Sequence, residues 1–212
     1  MSLNNRFFIA GLICTSLSTA LIGSPTKADD ESKWYLTIGG GLSAIQDTEW
    51  NWGVYSGELQ HSSGFSGEVG LGKDFGRSRI EITYSNNSGE LDAITVDQAG
   101  TAVSVSGEVA QEGFFVTGLY ELTDSEYSTF TPYVGAGIGL NWAKWENVTV
   151  TGSNIGDTWV RNLAGQFKVG TTVDVSEKSE FFLEGAYTVQ AAYEDWGDVS
   201  GASLRTGIKF KF

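Results

Sequence analysis

The chain has 212 residues, with 26 acidic and 13 basic side chains and a formal net charge of −13. This balance argues against a nucleic-acid-binding protein, because contacts to phosphates need a basic surface. A single histidine and a single cysteine cannot supply the soft ligands of a zinc site, so we expect no metal and no other cofactor. A calcium site in the acidic loops is the alternative, but no diagnostic spacing supports it. Glycine is abundant, proline is scarce and no segment keeps a helical period for long, which favours an all-β chain.

Residues 1–28 are predicted to be a cleaved signal peptide. Arg6 precedes an uncharged, largely apolar stretch from Phe7 to Gly23, and Thr26-Lys27-Ala28 offers small residues where a signal peptidase reads. A transmembrane helix is the alternative, but the stretch has about the minimum spanning length and is rich in Ser, Thr and Gly. Cys14 would leave with the signal peptide, so the mature chain would have no thiol.

Residues 29–212 have the length of one domain. Eight segments in this domain alternate apolar and polar side chains, as strands with two different faces do. These predicted strands are Trp34–Ala44, Gly64–Phe75, Ser78–Ser85, Glu108–Leu122, Thr129–Ala143, Val160–Val173, Ser179–Ala191 and Ser200–Phe212. The fourth is the least regular, because Phe114 and Phe115 place bulk on both faces.

The connections between the predicted strands alternate in length. Three are tight turns, at Gly76-Arg77, Thr123–Ser128 and Val175–Lys178, and four are longer and more polar, at Ile45–Ser63, Asn86–Gly107, Lys144–Trp159 and Tyr193–Val199. Membrane barrels have short periplasmic turns and long extracellular loops, which places both termini on the periplasmic side. We expect the first two long loops to be the most mobile and protease-sensitive parts of the chain.

Aromatic residues gather near both predicted membrane interfaces, as in the girdles of membrane barrels. Those near the turns are Trp34, Tyr120, Phe181 and Phe212, and those near the long loops are Phe65, Trp142, Trp145, Trp159 and Tyr187.

The last predicted strand carries apolar side chains on one face and charge on the other. Leu204, Ile208, Phe210 and Phe212 share the first face, whereas Arg205, Lys209 and Lys211 share the second. In a closed barrel the charged face can line the interior while the apolar face contacts lipid. A secreted lipocalin-like barrel is the architectural alternative, and it would need the opposite orientation.

Two segments resemble a known family. Tyr133-Val-Gly-Ala-Gly-Ile-Gly-Leu140, entered by Thr131-Pro132, is similar to the middle strand of the small opacity-type or outer-membrane-protein-A-like barrels, and Gly207-Ile-Lys-Phe-Lys-Phe212 resembles their ending. The resemblance implies an all-β, eight-stranded, antiparallel up-and-down transmembrane β-barrel, monomeric, in the outer membrane of a Gram-negative-type bacterium.

The same resemblance implies partners and roles. Phe210 and Phe212 would form the C-terminal signal that the barrel-assembly machinery reads, and outer-membrane lipid would surround the barrel. Family members are structural proteins, surface antigens, adhesins or narrow pores, and no periplasmic peptidoglycan-binding domain is expected after this barrel.

The lumen is predicted to hold a cluster of ion pairs. An eight-stranded barrel is narrow enough to be filled by side chains, and many inward positions here are charged. A tight turn pairing Asp174 with Lys178 sets Lys168 directly across from Glu184, and the next hairpin brings Arg205 beside Glu184. We expect these side chains, with Glu68 from the far wall, to plug the lumen rather than line a water-filled pore.

Three functions stay open. The first is a structural or surface-interaction protein, with Trp50, Trp52 and Tyr55 exposed in acidic loops that meet an extracellular partner. The second is a narrow gated pore through the charged lumen. The third is a lipid A-modifying enzyme, which rests only on the spacing of His61 and Ser63; a solvated loop histidine is the interpretation we favour.

Overall fold

The computed structural model describes residues 33–52, 55–96, 101–123, 130–150, 153–191 and 199–212. The predicted signal peptide, most of the predicted turn Thr123–Ser128 and most of the last predicted long loop lie outside these ranges. The described strands are β1 (Trp34–Ile45), β2 (Thr48–Trp52), β3 (Tyr55–His61), β4 (Ser63–Asp74), β5 (Ser78–Val96), β6 (Thr101–Glu121), β7 (Phe130–Val150), β8 (Ser153–Ser176), β9 (Ser179–Gln190) and β10 (Val199–Lys211). No helix in these ranges is long and apolar enough to cross a membrane.

Eight of the strands form a closed antiparallel ring, which confirms the predicted fold class. Neighbours in the ring follow the chain order β1, β4, β5, β6, β7, β8, β9 and β10, and β10 pairs with β1 to close it. Closure satisfies the backbone of every strand in the ring, which a lipid environment requires. The eight predicted strands coincide with these eight, within a few residues at the ends near the turns.

One end of the barrel, which we call the turn end, has the tight connections. Gly76 adopts φ 88° between β4 and β5, in the left-handed region that glycine tolerates. The Phe75 N–H donates to the Ser78 carbonyl, and Phe212 donates to the Trp34 carbonyl, so both chain ends of the barrel lie here.

The opposite end, which we call the extension end, differs from the prediction. Three of the predicted long loops are strands in their described parts: β2 and β3 form a hairpin, β3 also pairs with β5, and β5 to β8 extend as paired hairpins beyond the ring. The prediction of irregular loops was therefore wrong there. The expected protease sensitivity loses its basis too, because these segments pack an apolar core.

The outer surface of the ring carries the apolar side chains and the lumen carries the polar ones. Ile138 is 70% exposed on the outside, and in β10 Leu204 and Phe210 point outward whereas Arg205 and Lys209 are buried inside. This arrangement matches a membrane-spanning barrel and excludes the lipocalin-like alternative. The two adjacent phenylalanines of β6, which made the fourth predicted strand the least regular, follow the same rule: Phe114 is exposed on the outside and Phe115 is buried inside.

Phe182 fills the lumen where two glycines leave room. A Cβ on Gly207 would lie 2.1 Å from the Ile38 carbonyl oxygen and 2.7 Å from the Phe182 ring, and a Cβ on Gly39 would lie 2.6 Å from the same ring. A side chain at either position would therefore crowd a narrow barrel.

We expect Gly207→Ala to lower the free energy of unfolding by about 1 to 3 kcal/mol, because the surrounding backbone must move. Gly67→Ala is the matched control, since nothing lies within 4 Å of a Cβ at that position, and it should be neutral or stabilising by up to about 1 kcal/mol. Urea unfolding in detergent micelles measures both. Equal effects of the two variants would contradict the crowding argument.

Candidate functional site

The middle of the lumen is occupied by three carboxylates and three cations, which we call the central charge cluster. Its members are Glu68 on β4, Glu81 on β5, Lys168 on β8, Glu184 on β9, and Arg205 and Lys209 on β10. None of these side chains is more than 2% exposed. The equal numbers of opposite charges make the cluster neutral.

Lys168 is at the centre of the cluster. Its Nζ lies 2.8 Å from Glu68 Oε1, 3.3 Å from Glu184 Oε1 and 3.4 Å from Glu81 Oε2. Arg205 bridges two of the same carboxylates, with Nη1 3.0 Å from Glu68 and Nη2 3.2 Å from Glu184. The four residues predicted from sequence are therefore connected by four ion pairs, in which each of the two cations contacts both carboxylates. Their role as a plug stays a prediction.

The other two members of the cluster, Glu81 and Lys209, were not among the four predicted residues, although Lys209 was predicted on the charged inward face. Lys209 Nζ lies 2.7 Å from Glu81 Oε1 and 5.1 to 5.7 Å from the ring centres of Tyr35, Tyr133 and Phe182. Cation–π attraction in a dry site adds to the ion pair. The tyrosines contribute further, because the Tyr133 hydroxyl donates to Glu184 at 2.9 Å and the Tyr35 hydroxyl donates to Glu81 at 3.0 Å.

The predicted register between β8 and β9 was wrong by two residues. Glu184 pairs with Gly170, and Lys168 pairs with Ala186. The reason is that β8 continues to Ser176, which pairs with Ser179 across the turn, whereas the prediction placed the turn directly after Asp174; the irregularity between Asp174 and Ser176 changes the register by only one residue. A shift of two keeps every side chain on its face. Lys168 still reaches Glu184 diagonally, and Arg205 lies directly opposite Glu184.

A second set of charges closes the turn end. Arg79 forms ion pairs with Asp74 at 3.5 Å and with Glu180 at 2.7 Å, and it also contacts Glu121. Lys211 contacts Glu180 from the neighbouring strand. The bidentate contact of Arg79 with Glu180 is the stronger form of charge-assisted hydrogen bond.

Above the central charge cluster, toward the extension end, the lumen is lined by amides and hydroxyls. Asn141 donates to Gln190 at 2.8 Å, and Gln166 contacts Thr117 and Thr188 at 3.4 Å. This uncharged polar layer separates the ion pairs from the apolar region above it.

The extension end is closed by a cluster of buried apolar side chains, which we call the apolar cap. It comprises Ile45, Trp50, Leu59, Leu91, Val105, Val109, Ala143, Trp145, Val148, Val160 and Val199. Two sequence predictions are corrected by it. Trp50 is buried instead of exposed, and Trp145 lies inside the barrel instead of in the outer girdle, because its odd number gives it the inward parity of β7. The side chains of Trp52 and Tyr55 lie outside the described residues.

His61 packs at the edge of the apolar cap, so the prediction of a solvated histidine was wrong. Its side chain has no exposed surface; Nδ1 lies 4.0 Å from Asp47, and Nε2 accepts a hydrogen bond from Trp145 Nε1 at 3.5 Å. Ser63 begins β4 with exposed surface. The contacts of the imidazole are thus made with Asp47 and Trp145, which gives no support to a His61–Ser63 catalytic pair.

Burial lowers the pKa of His61 below its ordinary value of 6.5, against the opposing attraction of Asp47 and Asp92. The unfolded chain therefore takes up a proton at a higher pH than the folded chain does. Stability is fully present above pH 6.5 and falls as the pH decreases from 6.5 toward the lowered folded pKa.

We expect wild type to lose up to about 1.4 kcal/mol per pH unit below 6.5 through this group. His61→Gln, which can still accept a hydrogen bond from Trp145, should remove that part of the pH dependence. Urea unfolding at about pH 7.5 and about pH 5.5 compares the two proteins. If His61→Gln loses as much stability at the lower pH as wild type does, His61 is not the group responsible for the acid sensitivity.

Three glutamates form an exposed row on the outer face of the extension end. Glu90 pairs directly with Glu108 across β5 and β6, and Glu108 pairs directly with Glu146 across β6 and β7. Like charges directly opposite each other destabilise a sheet. No cation forms a salt bridge with this glutamate row among the described residues, and no group of acidic, histidine or cysteine side chains there is arranged to hold a metal ion.

The C-terminal aromatics lie on the outer surface of the barrel. Phe210 and Phe212 are exposed, and the Phe212 N–H donates to the Trp34 carbonyl, which ties the chain end to β1. Their predicted role in assembly stays a prediction.

No protein-family model matches the sequence, and no curated protein does. Among solved structures, the chain is similar to Neisserial surface protein A, with 16% identity, a TM-score of 0.58 and coverage of 84% of this chain and 97% of the other. It is also similar to the outer membrane protein OprG from Pseudomonas aeruginosa, at 13% identity and a TM-score of 0.52, with 87% and 98% covered. The outer membrane protease OmpT from Escherichia coli has 9% identity and a TM-score of 0.55, with 90% and 100% covered. These likenesses establish the fold.

Proposed function

We propose that this chain, which has the fold of the small outer-membrane β-barrels, is a closed and non-enzymatic surface protein whose extension end binds an extracellular partner. The layered structure of the lumen is the observation that supports a closed barrel. Ion pairs fill the turn end and the middle, amides lie above them, and the apolar cap closes the other end.

Closure follows from the energetics of these layers. An eight-stranded barrel has just enough interior for side chains. An ion entering from the turn end would have to break paired buried charges, and one entering from the other end would have to cross apolar side chains, where an unpaired charge is strongly disfavoured. The narrow gated pore is thereby the weaker alternative.

The proposed binding of an extracellular partner rests on the shape and charge of the extension end. β8 has 24 residues, whereas a strand of about 9 to 11 residues spans a bilayer. Roughly half of β8 therefore projects beyond the membrane, on the side that corresponds to the outside in barrels of this kind.

The projecting segments are acidic. Their described residues, 45–52, 55–63, 86–96, 101–107, 144–150 and 153–159, contain seven acidic residues and one lysine. The glutamate row keeps like charges opposed at a cost in stability, which a purely structural surface would not need. A partner with a basic surface would gain from this arrangement.

Conductance of the purified, refolded protein in planar bilayers tests the closed lumen. We expect no current steps from wild type. The double variant Lys168→Ser and Glu184→Ser, which removes bulk and charge from the central charge cluster, serves to show that an opened lumen would be detected. Regular current steps from wild type would overturn the closed-barrel half of the proposal.

Salt-dependent binding of poly-L-lysine to the protein in vesicles tests the acidic surface. The triple variant Glu90→Gln, Glu108→Gln and Glu146→Gln should lose much of this binding and gain about 0.2 to 1 kcal/mol of stability per relieved pair. Glu177→Gln, at the turn end, should change neither quantity. Unchanged binding by the triple variant would refute a binding role of the glutamate row.

A further inference from the structure

The outer face of the β7–β8 extension contains a hollow that shares only Glu146 with the glutamate row. Its volume is about 370 Å³, and it is lined by Trp142, Lys144, Glu146, Asp157, Thr158 and Trp159. This volume is at the low end of the range of small-molecule sites, about 300 to 1,000 Å³. The hollow therefore suits a ligand of one or two small rings.

The hollow is built by an irregularity in the hairpin. The pairing of β7 with β8 shifts between Trp145 and Val148, and Asn147 there has φ 54°. The Asn147 N–H donates to Asp157 Oδ1 at 2.9 Å, which ties the bulged strand to its partner. Such bulges bend a strand and redirect its side chains, and here the result is a concave outer surface.

The position of the hollow is given by a row of aromatic rings. Tyr84 and Phe114 lie with ring centres 5.1 Å apart, and Phe114 meets Trp142 edge-on at 6.2 Å. This row crosses β5, β6 and β7 on the outside, where the apolar belt gives way to the charged extension. Aromatic rows of this kind mark the level of the lipid headgroups, so the hollow opens sideways at headgroup level.

The lining combines uncovered indole surface with hydrogen-bonding groups. Trp159 is 63% exposed and pairs across the hairpin with Lys144. Lys144 Nζ is held at 2.7 Å by Glu112 and retains donors for a ligand. Glu146 and Asp157 supply acceptors, and their charges disfavour a phosphate.

A sugar ring fits this combination. One face of a pyranose presents C–H groups that an indole face can cover, and its rim presents hydroxyls that donate to carboxylates and accept from an ammonium group. We propose that the hollow binds the neutral sugar headgroup of a glycolipid in the surrounding leaflet. The lipid source follows from the sideways opening at headgroup level, which lets acyl chains lie against the apolar belt below.

Native mass spectrometry of the folded protein, released from sugar-free detergent micelles, tests the proposal. The probes are monogalactosyl diacylglycerol and phosphatidylethanolamine with identical acyl chains, offered in equal amounts. We expect wild type to retain roughly tenfold more of the glycolipid, the ratio that about 1.4 kcal/mol of headgroup preference gives. Trp159→Ala and Trp142→Ala should lose the preference.

Phe65→Ala is the matched control, because Phe65 is an exposed aromatic of the outer surface on β4, outside the hollow. It should keep the preference, and slower gel migration after boiling should show that all variants are folded. Equal retention of the two lipids by wild type, or an undiminished preference in Trp159→Ala, would overturn the site. Methyl β-galactoside that binds as tightly as the glycolipid would overturn the lipid source and indicate a free saccharide.

Discussion

Glu184→Gln should lower the free energy of unfolding by about 3 to 5 kcal/mol, the cost of removing one partner from a buried ion pair. Glu184 accepts contacts from Lys168, Arg205 and Tyr133 in a site with almost no exposed surface. The amide keeps the shape of the side chain but not its charge. The central charge cluster would then hold three cations and two carboxylates, with no water nearby to solvate the excess.

Glu112→Gln is the matched control for this prediction. Glu112 makes the same kind of contact, at 2.7 Å with Lys144, but both side chains are partly exposed. Solvent-exposed pairs contribute little, so the control should cost less than about 1 kcal/mol. Urea unfolding in micelles and planar-bilayer conductance should be measured on both variants. If Glu184→Gln is as stable as the control and does not conduct, the ion pairs do not hold the lumen closed.

Ile138→Lys should destabilise the barrel by about 2 to 4 kcal/mol, the cost of a lysine on the lipid face near the middle of the bilayer. Ile138 is 70% exposed on the outer surface and lies midway along the ring part of β7, between Val116 and Gly165. Lipid, not water, must cover it if the apolar belt spans a membrane.

Val175→Lys is the control, because Val175 is equally exposed, at 69%, but lies beside a turn at the end of β8. The cost should fall to about 0 to 1 kcal/mol near the interface. Both values come from unfolding of the protein in lipid vesicles. Similar costs at the two positions would mean that the apolar belt does not sit in a bilayer.

The ring of eight strands was predictable because lipid and a polar lumen impose opposite demands on successive residues. That alternation runs without interruption through the segment around Ile138 and through β10. The extension end lacks it, since its outer face lies beyond the hydrocarbon core of the bilayer, and its polar composition therefore suggested loops. Trp145 was wrongly predicted in the outer aromatic girdle. Its odd position in β7 already indicated an inward side chain, but the polar segments beside it favoured a position at the membrane interface.

The members of the central charge cluster were predictable from the side of the strand on which they lie. Their partners depended on register, and the register of β8 depends on the turn at Glu177-Lys178 and on a one-residue irregularity beside Asp174, neither of which the sequence pattern signals. Tyr35 and Tyr133 were missed because an inward tyrosine resembles ordinary lumen filling, and only the structure places their hydroxyls on Glu81 and Glu184. The glutamate row was also missed, because it arises from the pairing of residues on different strands.

The distribution of charges among the strands also constrains how the barrel assembles. Two of the three cations of the central charge cluster, Arg205 and Lys209, arrive with β10, while Glu68 and Glu81 lie on β4 and β5 beyond the β1–β10 seam. Until that seam forms, each of these carboxylates lacks one of the two cations that it contacts in the closed barrel and must stay hydrated. Seam formation, neutralisation of the charges and loss of water from the lumen therefore occur as a single cooperative step. A sheet that has not closed has no dehydrated interior and is not a stable intermediate.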